Sequence, residues 1–181
     1  MMNQVQAVGG GWRVARWAVG AGLLLLPLAM MQVVDGWNWG PGAFLVLGIL
    51  IGGALLLYEH AARKGVGMAY RGGVAAAMLV AFLIMWMNVA VGIVGEDNPA
   101  NFSFFMLIFA AAVGSYAARG EAAGMARAML GVAVVQLLLA IAIATAPSTV
   151  GAARVLTLCG VFAGLWLLSA ALFHRAGRGA G

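Results

Sequence analysis

The densest group of chemistry-bearing residues in this chain is the run Glu96-Asp97-Asn98-Pro99-Ala100-Asn101. Its carboxylates and amides are hard oxygen ligands of the kind that hold a divalent cation, and their negative charge attracts a cationic solute. Three more polar residues reach the same surface if the neighbouring apolar runs are helices. Asp35 comes from another turn, Asn88 lies about two helical turns below the run, and Arg154 belongs to a later run. Each of these residues also has a plain structural use. Asn98 before Pro99 is a helix start, because the amide caps free N–H groups and proline at the first helical position loses no hydrogen bond. Glu96 or Asp97 then pairs with Arg154, and Asp35 stays hydrated. On residue types the structural account is the stronger, with binding of a small ligand second and catalysis last. Asn101-Phe102-Ser103 has the form of a glycosylation acceptor but lies too near an apolar run to be read as one.

The other candidates are sparser. Asn88 and Gln136 are amides inside apolar runs, where a polar group needs partners and bonds across a helix interface or lines a path for a solute. No acid, lysine or histidine stands at mid-run, which argues against an internal proton relay. His60 adjoins Glu59 and His174 adjoins Arg175, both at the ends of runs and badly placed to ligate haem. Met78 and Met85 share a helical face, but without cysteine or histidine beside them they read as packing rather than as a copper site. Cys159 is the only cysteine, so the chain forms no internal disulfide and no cysteine cluster for zinc or iron–sulfur. A base that would activate this thiol is absent at its depth. The sequence therefore calls for no metal, no cofactor and no enzymatic activity.

The elements that position these residues follow from composition. Of 181 residues, 65% are hydrophobic and only 8% charged, and the mean hydropathy is +1.04. Soluble domains carry about 25% charged residues, which their surfaces require. Fifteen charges cannot cover such a surface, so the chain is a polytopic, all-α integral membrane protein. The net charge of +5 comes from basic residues set between apolar runs, a pattern of membrane topology rather than of nucleic-acid binding.

Six apolar runs can be drawn, at about 17–34, 43–58, 73–94, 99–118, 126–146 and 151–173. A helix crosses the hydrocarbon in about 20 residues, so six spans are expected to occupy residues 1–181 as a single membrane domain without a soluble module. Four long runs with two buried re-entrant hairpins fit the hydropathy less simply. The first run follows Arg13 and Arg16 but is long and lacks an Ala-x-Ala cleavage pattern, so it is expected to be retained as a helix. Trp12, Trp37 and Trp39 fall near boundaries, as interface anchors do. With both termini in the cytoplasm, nine of the ten basic residues fall on the cytoplasmic side and only Arg154 outside. Asp35, Glu96 and Asp97 then lie outside as well, in agreement with the positive-inside rule.

Glycine is abundant, at 27 residues, roughly twice the usual 7%. Gly48 with Gly52, and Gly160 with Gly164, form GxxxG pairs that present a flat face for close helix packing, within the chain or between copies.

The stretch Met87–Phe105, MNVAVGIVGEDNPANFSFF, with Arg119 and GMARAM at 124–129 after it, resembles a family of small, uncharacterised bacterial inner-membrane proteins. In those a helix ending in Gly-Ile-Ile-Gly precedes an acidic Asp-Asn-Pro-Ala-Asn turn. The likeness covers a quarter to a third of the chain and departs in spacing after Gly95. It implies a multi-pass protein of the bacterial inner membrane and brings no biochemical activity. The expected function is a non-catalytic accessory or structural component, or an outer-face binder of a small ligand. The alternative is a small oligomeric transporter or channel. Expected partners are the lipid bilayer and a homo-oligomer or membrane-protein complex, with no nucleic acid.

Overall fold

The computed structural model describes residues 2–33, 40–63, 67–95, 98–147 and 151–179. Among them the chain is helical throughout: α1 (Met2–Val33), α2 (Pro41–Arg63), α3 (Met68–Ala90), α4 (Phe102–Ala117), α5 (Ala122–Ala144) and α6 (Ala152–Arg178), with a 3₁₀ turn at Pro99–Asn101 leading into α4. Four helical segments are long and apolar enough to cross a membrane: Met68–Val89, Pro99–Ala117, Ala122–Ala144 and Ala152–Arg178. The protein is thus an all-α polytopic membrane protein with at least these four spans. Shorter apolar stretches, Trp17–Val33 and Pro41–Gly53, lie within α1 and α2.

The helices outrun the apolar runs at several ends. α1 begins at Met2 rather than near 17, and α6 continues to Arg178 rather than stopping near 173. Hydropathy marks the part of a helix that sits in hydrocarbon, whereas intrahelical hydrogen bonding continues through polar residues beyond it. α3 departs the other way. It ends at Ala90, four residues short of the expected 94, although Val91, Ile93 and Val94 are apolar. Gly92 takes φ +64° and Gly95 φ +131°, a left-handed backbone that no helix continues through.

Contacts divide the chain into two compact units, Met1–His60 and Ala61–Gly181. In the first, α1 and α2 run antiparallel. A Cβ on Gly20 would meet Leu55 Cδ1 at 2.7 Å and Ile51 Cγ2 at 3.0 Å, so glycine is what lets these helices close. Gly48 approaches Leu24 Cδ1 at an ordinary 3.5 Å, and Gly52 has open space beside it. Pro27 is buried within α1.

The second unit holds α3–α6. α6 packs between α3 and α5, and α5 in turn packs against α4. The pairings are antiparallel, with Gly73 against the Phe173 ring, Gly114 and Gly124 against Ala128 and Ala118, and Gly177 against Ala122. The starts of α3 and α5 and the ends of α4 and α6 therefore share one end of the unit, termed basal here. The opposite end is apical.

Size sorting builds the core. Ala126, Ala133, Ala140, Ala163 and Ala170 face inward, while Leu130, Leu137, Leu138, Leu156, Leu167 and Leu168 face out. With lipid as apolar as leucine, association depends on close van der Waals contact, which small residues permit. Larger side chains fill the remaining space: Ile84, Phe104, Val155, Phe162, Trp166 and Phe173 are buried. Ser169 Oγ donates to the Gly73 carbonyl at 2.8 Å and joins α6 to α3 inside the core.

Candidate functional site

The apical end is organised by asparagines. Asn88, in the last turn of α3, is 9% exposed, and its Nδ2 donates to the Asn101 carbonyl at 2.7 Å. Asn101 works in both directions on the loop after α3. Its Oδ1 accepts from the Val94 N–H at 3.1 Å, and its Nδ2 donates to the Gly95 carbonyl at 2.7 Å. One side chain thereby replaces the hydrogen bonds that the backbone gave up when α3 ended. Asn98 Oδ1 accepts from the Ala100 N–H at 2.9 Å and caps the 3₁₀ turn, with Pro99 at its first position.

Arg154, in the first turn of α6, reaches the same loop. Its Nη2 donates to the Gly92 and Ile93 carbonyls at 3.1 and 3.2 Å. Bonds from a charged donor are the stronger kind, and these tie α6 to the end of α3. The expected partners of Arg154, Glu96 and Asp97, lie outside the described residues, as does Asp35. Among the described residues the carbonyls of the loop are its partners. Asn88, Asn98, Asn101 and Arg154 are thus brought together at the apical end, and each is engaged with backbone. The acceptor left over is Asn88 Oδ1, buried without a hydrogen-bond partner. No group of three or more His, Cys, Asp or Glu that could hold a metal ion occurs among the described residues.

Gln136 stands apart from this cluster. It lies near the middle of α5, wholly buried at 0% exposure. Across the α5–α6 seam the Cys159 thiol lies beside its amide, yet neither Nε2 nor Oε1 has a hydrogen-bond partner. Trp166 Nε1 on α6 is likewise buried and unpartnered. Unpaired amides in an apolar interior are costly. Replacing Gln136 by leucine should therefore stabilise the four-helix unit by about 1 kcal/mol, seen as later unfolding in dodecyl sulfate titrations. A loss of stability of that size would instead show that the amide is well satisfied in the membrane.

Three positions with structural roles carried no motif in the sequence. Tyr70 Oη donates to the Gly120 carbonyl at 2.8 Å, joining α3 to the α4–α5 turn. Ser169 bonds α3 from α6, and Trp166 fills the core. A hydroxyl or indole in an apolar run is the signal that could have found them, although it does not say which helix is the partner. Gly160 and Gly164 are exposed on α6, and no neighbouring atom lies within 4 Å of the Cβ each lacks. His174, at the end of α6, is exposed.

In comparisons with protein-family models, curated proteins and solved structures, nothing matches this chain.

Proposed function

We propose that this chain is a non-catalytic accessory or structural component of a membrane-protein assembly in the bacterial inner membrane. It would have six spans and both termini in the cytoplasm. The observation that carries the reading is the use of polar groups at the apical end. Asn98, Asn101 and Arg154 are engaged with backbone groups of the chain itself, a use that supports a structural role over a reactive one. The orientation rests on charge. Arg71, Arg119, Arg127, Arg175 and Arg178 all belong to the basal half, and that half faces the cytoplasm by the positive-inside rule. The resemblance of Met87–Phe105 to small bacterial inner-membrane proteins supports the location.

Blue-native electrophoresis of membranes with and without the protein tests the role. A membrane complex should lose mass or disappear when the chain is deleted. An unchanged set of complexes would contradict the proposal.

A second reading is favoured by the unpartnered Asn88 Oδ1 and the unpartnered Gln136 amide, which would line the path of a small transporter or channel. In that case Asn88→Leu with Gln136→Leu lowers solute flux in proteoliposomes at unchanged amounts of folded protein. Equal flux would exclude that path.

A further inference from the structure

The basal end of the four-helix unit converges on Tyr70. Its hydroxyl holds the Gly120 carbonyl in the α4–α5 turn at 2.8 Å, and its ring meets Phe173 of α6 edge-on, with centroids 5.0 Å apart. The next residue along α3 is Arg71, and the residue before Gly120 is Arg119. The backbones of Arg71 and Arg119 are thus brought to the same end of the unit, each one residue from a partner in that hydrogen bond. The Arg71 side chain is half-buried, with its Nε enclosed and without a hydrogen-bond partner. Arg119 has φ +50°, a left-handed backbone unusual for a residue with a side chain, and Gly120 follows at φ +75°. Glycine would adopt that turn at lower cost, so arginine at 119 is a departure from what local structure favours. Glu121 is the acid at this end among the described residues, and it is exposed.

We propose that Arg71 and Arg119 form a site for the phosphate of an anionic phospholipid at the basal rim of the bundle. Guanidinium groups match phosphate oxygens through paired N–H donors, and basic pockets between membrane helices take lipid headgroups. The surroundings select a lipid over a free phosphate. Met68, one turn before Arg71, is 80% exposed, and Tyr116, one turn before Arg119, is 87% exposed. An apolar side chain and an amphipathic ring beside the two charges suit the acyl-chain boundary of a membrane. The inference depends on the second unit spanning the membrane and not on the accessory role.

Native mass spectrometry of the full chain, offered equal amounts of phosphatidylglycerol and phosphatidylcholine, tests the site. The unaltered protein should retain phosphatidylglycerol with a preference of about 25-fold, at about fivefold for each arginine. Arg71→Gln with Arg119→Gly should bring the preference close to parity. Arg127→Gln removes the same charge from the exposed side of α5, outside the proposed site, and should lower the preference by less than Arg119→Gly does. Should Arg71→Gln fail to fold, Arg119→Gly alone still decides, because glycine suits the turn while the charge is lost, and about a fivefold decrease is expected. Parity in the unaltered protein, an undiminished preference in the Arg119→Gly chain, or an equal loss in Arg127→Gln would each overturn the proposal. The last would show that the general positive field, not this site, attracts the lipid.

Discussion

Gly92→Ala should unfold or strongly destabilise the four-helix unit, at a cost of about 3 kcal/mol. The position combines two demands. Its φ of +64° is one that alanine adopts only with strain. A Cβ there would also collide with the Gly95 carbonyl oxygen and lie 2.7 Å from Asn101 Nδ2. Neither neighbour has room to yield, because Asn101 is held at both ends of its amide and Gly95 is one of its partners. Relief would mean opening the clasp and releasing the carbonyls that Arg154 holds. Gly160→Ala supplies the contrast, since nothing lies within 4 Å of that site and alanine is the better helix former by about 1 kcal/mol. Unfolding of the two variants in dodecyl sulfate micelles should move in opposite directions. Equal midpoints would show that the α3–α4 loop does not hold the fold.

Asn101→Ala should cost about 2 kcal/mol by the same measurement. The substitution leaves the buried Val94 N–H without its partner and the Gly95 carbonyl with only the long 3.4 Å bond from the Asn98 N–H. The bond from Asn88 survives, because it is made to the Asn101 backbone carbonyl. The loss should therefore be confined to the loop: α3 and α4 remain helical, and amide exchange accelerates at 91–95 before it does in the helices. Asn101→Asp keeps an acceptor for Val94 but places a charge opposite the Gly95 carbonyl, and should restore little. If Asn101→Ala were as stable as the parent chain while some ligand interaction vanished, Asn101 would belong to a binding site rather than to the clasp.

The fold class was legible because the physics behind it is coarse. With so few charges, the chain cannot be soluble, and apolar runs bounded by Gly, Pro and Arg must be helices in lipid. The end of α3 was not legible. Val91, Ile93 and Val94 are as apolar as the helix before them, and the glycines at 92 and 95 stand among 27. The left-handed turn at Gly92 ends the helix, and an asparagine on the far side of the loop takes up backbone groups that the turn frees, a tertiary effect beyond the reach of hydropathy. Close packing was similarly hidden. The tightest approaches between helices fall at Gly20, Gly73, Gly114 and Gly124 among the described residues, none of which belongs to the GxxxG pairs singled out, because what decides them is the side chain across the seam.

The candidate site divides in the same way. Asn98 before Pro99 announced its capping role through a local rule. Asn101 and Arg154 were visible as polar residues near the same surface, but their shared use in binding one stretch of backbone depends on the end of α3 meeting the starts of α4 and α6. Asp35, Glu96 and Asp97 lie outside the described residues, so the carboxylates that motivated a cation or cationic ligand remain a reading of the sequence. Gln136 was noticed as an amide in an apolar run. Its complete burial beside Cys159 required the α5–α6 register.

The most direct measurement of the accessory role is native mass spectrometry of the protein released gently from its own membrane at natural abundance. The expected result is a defined complex with at least one other membrane protein, at fixed stoichiometry. A monomer or homo-oligomer carrying a specific small molecule would contradict it and move the function to binding or transport.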